Sequence, residues 1–294
     1  MSISRQNLSV IIVSFKSDHI IQRCIDSIDK EIEIIVVDNS NNAEFKKYIE
    51  DKYKNVRCIL STKNIGMGGG NNIGIKSTNK DFALVLNPDV ILEKDAINQI
   101  INASKVIDSF GVIAPTLDNI KYPNYKLDNK NNQKFDPIKP FKVKSVDGYS
   151  MLLNLKKLKQ LTNFNFFDEN FFLYLENDDF CKRLQLINEN IFVVPKSKIY
   201  HLGGQAVDPK YKKEIELVRN WHWMWSKFYY NNKHYGYLNA TIKILKNLFS
   251  AIIKFFFYLI IFNNYKRKIY QMRLSGLINS MIGKKSFFRA KLDN

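Results

Sequence analysis

Apolar positions in the first 115 residues follow two rhythms. A β-branched run at 8–15 (LSVIIVSF) and a second Ile/Val-rich segment at 31–38 (EIEIIVVD) predict buried strands. Shorter runs at 56–60, 82–86 (FALVL) and 111–115 predict three more. Between them, apolar residues recur at helical spacing over 18–28, 43–53 and 94–109. A Gly/Asn loop at 64–72 leads into a further helix that ends near Thr78. Strand–helix alternation of this kind predicts a mainly parallel sheet flanked by helices.

The second half is less regular. The polar, proline-containing stretch 118–142 predicts a long loop or insertion. Residues 143–153 predict strands, 170–188 a loop entering a helix, and 191–194 and 197–201 two further strands. Residues 219–230 (RNWHWMWSKFYY) form an aromatic helix candidate.

Residues 245–262 are the longest apolar run, interrupted by Lys246, Asn247 and Lys254 and followed by Lys266, Arg267 and Lys268. A lysine near the centre of a lone span is costly. In-plane membrane association is therefore expected ahead of packing on the domain or a true span.

Charge sharpens that expectation. The net charge is +17, and residues 241–294 hold eleven Lys/Arg against one acid, Asp293. A basic, apolar tail points to an anionic membrane surface more than to a nucleic-acid groove. The opening MSISRQN has no apolar leader, so a cytoplasmic location, peripheral to the inner face of the cell membrane, is expected. Three scattered cysteines, Cys24, Cys58 and Cys181, suit free thiols in a reducing compartment.

Ligands of such sheets bind at the carboxyl ends of the strands. Ser14, Phe15 and Asp38 stand there, as does Asp89 in Asn87-Pro88-Asp89. Asp38 suits a ribose or base contact, or the start of a turn. Asp89 suits a hard divalent cation, which takes few carboxylates plus substrate phosphates, or a helix cap. Asn64, Gly66, Asn71 and Asn72 belong to the glycine loop, which lacks both the third dinucleotide-site glycine and a P-loop lysine. Glu176, Asp178 and Asp179 form an acidic cluster fit for a general base, or for a solvated first helical turn. His201 ends a strand, as a metal ligand or as a structural residue.

Taken in order, VIIVSF, IIVVDNS, KNIGMGGGNNIGI, LVLNPDV, VDGYSMLL, FDENFFLYLENDDFCKRL, HLGG and Arg219-Asn220 resemble the family-2 glycosyltransferases, particularly the rhamnosyltransferase-like branch of bacterial surface polysaccharide synthesis. The resemblance runs from about residue 8 to 230. It implies a GT-A type, Rossmann-like fold over residues 1–234, with a nucleotide-sugar-binding half at 1–115 and an acceptor-binding half at 143–234. Residues 235–294 would be a helical, basic, amphipathic tail.

It implies an inverting transfer of rhamnose or another hexose from a nucleotide-diphosphate donor to a glycan or polyprenyl-diphosphate-linked acceptor. Mg²⁺ or Mn²⁺ would sit at Asp89 and His201. Ser14, Phe15, Asp38, Asn64, Gly66, Asn71, Asn72, Asn87 and Arg219 would bind the donor, and Glu176, Asp178 and Asp179 would do the chemistry. One departure stands out: the family's usual Glu-Asp-x-Asp reads Glu176-Asn177-Asp178-Asp179 here. An amide takes up no proton at working pH, so Glu176 or Asp178 becomes the base. A non-catalytic carbohydrate- or nucleotide-binding protein on the same scaffold is the alternative. The acids at the strand ends argue against a nucleic-acid partner.

Overall fold

The run LSVIIVS forms β1 (Leu8–Ser14), every residue of which is buried. In the computed structural model, which describes residues 2–118, 123–127, 138–161, 165–290 and 292, the elements then alternate as the sequence predicts, apart from one added strand at Val90–Leu92. They are α1 (Ile21–Asp26), β2 (Glu33–Asp38), α2 (Ala43–Lys52), β3 (Val56–Leu60), α3 (Gly66–Ser77), β4 (Phe82–Leu86), β5 (Val90–Leu92), α4 (Ala96–Ser104) and β6 (Val112–Leu117). Short strands β7 (Tyr125–Lys126), β8 (Phe141–Lys142) and β9 (Ser145–Val146) lead to β10 (Ser150–Asn154) and α5 (Leu155–Lys159). After these come α6 (Glu176–Leu186), β11 (Ile191–His201), α7 (Lys212–Tyr235), α8 (Tyr237–Ile260) and α9 (Asn264–Met281). Most of the loop expected at 118–142 lies outside the described residues.

Among the described residues the main sheet runs β3-β2-β1-β4-β10-β6-β11-β5, with β8 also paired to β11. The first four strands are parallel. β10 enters antiparallel between β4 and β6, and β11 runs parallel to β6. The result is a mixed, mostly parallel sheet of the expected class. β11 joins the two strands expected at 191–194 and 197–201, and its ladder with β6 shifts register between Val194 and Lys198.

The glycine-rich stretch departs from its expectation. It is not a loop but the first two turns of α3. Glycine disfavours helix by roughly 1 kcal/mol, yet here close packing requires it. A Cβ on Gly74 would stand 2.3 Å from Ile11 of β1, and one on Gly70 would stand 2.7 Å from Val13. Only a bare helix face lies this close to the sheet.

The described chain forms two compact units. One comprises Met1–Asp168 and Asn177–Asp208; the other comprises Glu169–Glu176 and Pro209–Asn294. The first holds the sheet, with a core on each face. The second is built on α7, α8 and α9, which meet through Met224, Phe228, Ala240, Ile244 and Leu277.

Candidate functional site

Parallel pairing sets the carboxyl ends of β1 and β2 side by side, with Ser14 opposite Asp38. The Ser14 hydroxyl donates to Asp38 Oδ1 at 2.9 Å, and both residues are buried. The other Asp38 oxygen accepts the Asn42 amide at 2.9 Å, and Oδ1 also accepts that of Ser40 at 3.2 Å. Asp38 therefore closes a turn at the end of β2. The Phe15 amide next to it donates to Ser17 Oγ at 3.1 Å.

Asn64 Oδ1 accepts the Gly66 amide at 3.0 Å, just ahead of α3. Asn71 is buried, and its Oδ1 has no hydrogen-bond partner among the described residues. Asn72 differs. Its amide nitrogen donates to the Phe167 carbonyl at 2.8 Å, and its oxygen accepts the Phe167 amide at 3.0 Å. That side chain ties α3 to the 165–167 segment.

The Asp89 neighbourhood follows from strand register. β5 pairs antiparallel with β11, and His201 faces Val90, one residue after Asp89. Asp89 is 1% exposed. Its Oδ2 accepts the Gln205 amide at 3.2 Å. Its Oδ1 lies 3.5 Å from His201 Nε2 and accepts no hydrogen bond among the described residues. Asn87 Oδ1 is likewise buried and unbonded.

A buried carboxylate oxygen left without a donor is costly unless something else meets it. The Asp89 carboxylate oxygen and the His201 imidazole nitrogen, 3.5 Å apart, are a donor pair that suits a divalent cation whose remaining ligands would come from a diphosphate. Among the described residues no cluster of three or more His, Cys, Asp and Glu is able to hold a metal ion unaided.

β10 adds two groups that the sequence did not single out. Its antiparallel register against β4 sets Ser150 opposite Leu86, and the Asn87 amide donates to the Tyr149 carbonyl at 2.9 Å. The Tyr149 ring stacks on His201, with centroids 4.1 Å apart. Asp147 precedes it, and burial first, then the Asp178 charge, push its carboxyl above the ordinary range, against the opposing effects of Lys126, His201 and the Tyr149 hydroxyl. The only sequence signal for this pair was the Asp-Gly-Tyr turn before a strand.

The acids of α6 have distinct surroundings. Asp178 accepts an ion-paired bond from Lys126 at 2.7 Å. Asp179 is fully buried and paired with Arg183 at 2.8 Å, one helical turn on. Arg183 also donates to the Asn165 and Phe166 carbonyls. Asp179 thus anchors the segment before α6. Asn177 donates to the Val146 carbonyl at 2.9 Å.

Glu176, the first residue of α6, belongs to the second unit together with Arg219 of α7. It follows Tyr174 and Leu175, whose φ angles of 70° and 67° lie in the left-handed region that side chains avoid. The second unit holds that bend: Ser226 Oγ donates to the Leu173 carbonyl at 2.7 Å, and Tyr174 meets Trp223 edge-on at 5.4 Å.

Residues 9–161 match the profile of Glycosyl transferase family 2. The low-salt glycan biosynthesis hexosyltransferase Agl10 of Haloferax volcanii is 29% identical over 201 residues, covering 63% of this chain and 64% of that relative. Rhamnosyltransferase WbbL of Escherichia coli K12 is 24% identical over 221 residues, covering 65% and 82%. The fold is similar to that of mannosyltransferase PcManGT from Pyrobaculum calidifontis, solved in complex with GDP-Man and Mn²⁺. The TM-score is 0.55 at 11% identity, covering 95% of this chain and 88% of that one.

Proposed function

The chain belongs to glycosyl transferase family 2, and on that basis we propose that it is an inverting, metal-dependent hexosyltransferase using a nucleotide-diphosphate sugar. The donor sugar is rhamnose or another hexose. The acceptor is a glycan or a polyprenyl-diphosphate-linked glycan of a surface polysaccharide of the O-antigen or capsule type, reached from the cytoplasmic face of the membrane.

The observation that carries this reading is the buried Asp89 oxygen, unbonded and 3.5 Å from His201 Nε2. In this scheme Ser14, Phe15 and Asp38 hold the nucleoside. Asn64, Gly66, Asn71, Asn72 and Asn87 complete the donor pocket. Asp89 and His201 would hold Mg²⁺ or Mn²⁺, and the bound cation would offset negative charge on the diphosphate. The acceptor oxygen forms a bond to the anomeric carbon as the bond to the diphosphate oxygen breaks, and that electron pair leaves with the nucleotide. The acceptor proton passes to Glu176 or Asp178. A single displacement inverts the anomeric centre.

Thermal unfolding with a panel of nucleotide diphosphates, with and without Mn²⁺, tests this. A ligand at a hundredfold excess over its dissociation constant adds about 2.7 kcal/mol. One nucleotide is expected to stabilise the protein only with Mn²⁺, and Asp89→Ala to abolish the effect. A metal-independent shift, or none with any nucleotide, defeats the reading.

Asn177 motivates the second reading, a non-catalytic binding protein, because the family's usual carboxylate is replaced by an amide bonded to backbone. Glu176→Gln separates the two. Lost transfer with retained donor binding supports catalysis, whereas no transfer by the unmodified chain across donors it binds supports the binding protein.

A further inference from the structure

One face of α8 is packed and the opposite face is bare. Ala240, Ile244 and Ala251 are buried within the second unit. Leu238, Ile242, Phe249, Ile253, Phe256 and Ile260 are all more than half exposed. Spacings of three, four and seven residues put these six on one helical face. The stripe leads to Phe262, at the turn into α9, which is 87% exposed with φ 54°. A large aromatic side chain in the left-handed region, turned to solvent, is unusual on both counts.

The charges around the stripe name its partner. Residues 217–292 contain fourteen Lys/Arg and no acid. Lys246 lies four residues after Ile242 and three before Phe249, beside the stripe, and is exposed. Lys266, Arg267 and Lys268 follow the exposed turn directly. A second copy of this face would bring like charges together, whereas an anionic lipid surface complements both the apolar and the basic groups. Among the described residues no helix is long and apolar enough to cross a membrane, so the face meets the bilayer from one side.

We propose that the α8–α9 hairpin is a docking surface for anionic lipid bilayers. The α8 stripe and Phe262 bury at the boundary between headgroups and acyl chains. Lys246, Lys266, Arg267 and Lys268 reach lipid phosphates, their stems lying along the apolar surface. This gives a structural basis to the membrane site of the proposed function but does not depend on donor chemistry, so vesicle binding and nucleotide binding fail separately.

Flotation of the full chain with phosphatidylcholine vesicles, with and without phosphatidylglycerol, tests the surface. Binding is expected only to the anionic vesicles and is expected to fall as salt rises. The triple variant Lys266→Gln, Arg267→Gln, Lys268→Gln should lower partitioning on the order of a hundredfold, at about 1 kcal/mol per basic residue. Phe249→Ser with Phe256→Ser, at exposed positions, should weaken it at least tenfold with the unfolding midpoint retained. Equal binding by either variant, or equal binding to neutral vesicles, overturns the proposal. So does a solution dimer that the double phenylalanine variant dissociates, since the face would then belong to a second copy.

Discussion

Asn177 donates its side-chain amide to the Val146 carbonyl at 2.9 Å, fastening the start of α6 beside the turn that carries Asp147. Gly148 fits over it, for a Cβ at that glycine would stand 3.0 Å from the Asn177 Cβ. Restoring the family's usual aspartate at this position removes the donor and sets a carboxylate against a carbonyl. Asn177→Asp is therefore expected to lose about 1–3 kcal/mol in urea unfolding without gaining transfer. An aspartate variant as stable as the parent would show that the bond contributes nothing.

Asp147 has a carboxyl raised by burial and by Asp178. A raised carboxyl binds its proton more tightly folded than unfolded. Its contribution is complete below the ordinary value of 3.8 and is lost as pH rises through the shifted value. Asp147→Asn keeps the shape without the charge. Its unfolding free energy is expected to gain on the parent between pH 3 and pH 7. A constant difference across that range would contradict the assignment.

His222 is buried in α7, and its Nε2 lies 2.8 Å from the Phe288 carbonyl. Burial pulls its pKa down to about 3 from an ordinary 6.5; the Phe288 carbonyl opposes the shift and Arg289 assists it. The folded state holds this imidazole neutral, so its stability is present above pH 6.5 and drains away as pH falls towards 3. Between pH 7 and pH 5 the loss from this one group is about 2 kcal/mol. His222→Asn should flatten that slope in urea titrations at the two pH values.

The approach of α3 to β1 gives a graded prediction. Gly74→Ala drives a methyl group to 2.3 Å from Ile11 on a fully buried strand and is expected to cost about 1–3 kcal/mol. Gly69→Ala meets the Ile65 side chain first, at 3.2 Å, and should be close to neutral, helped by alanine's helix preference. Thermal unfolding of the two variants side by side is sufficient. Equal effects would mean that the helix is free to shift off the sheet.

Sequence pattern revealed the buried strands, since β1, β2 and β4 are each built on a run of consecutive apolar residues. It did not reveal β5, because three residues after Asn-Pro-Asp are too few to show a period. It read 64–72 as a loop because glycine's own preference is non-helical, and only contact with Ile11 and Val13 overrides that preference. Asp89 and His201 were legible as strand-end residues, but their 3.5 Å approach depends on β5 pairing with β11. Asp147 and Tyr149 reach the same place only through the antiparallel register of β10. The Asp179–Arg183 pair was readable at its i, i+4 spacing; its full burial, which makes it an anchor, was not.

The path of the chain carries a consequence for its inheritance. The polypeptide enters the second unit at Glu169, leaves it after Glu176 and returns at Pro209. The Tyr174–Leu175 bend is thus held by side chains that lie about fifty residues further along the chain, Ser226 and Trp223 among them. No single crossover between two related genes exchanges this unit without also exchanging residues 177–208 of the first. A recombinant joined near residue 209 would pair one parent's bend with the other parent's helices. Segments 169–176 and 209–294 are therefore expected to have diverged together, as one inherited piece interrupted by another.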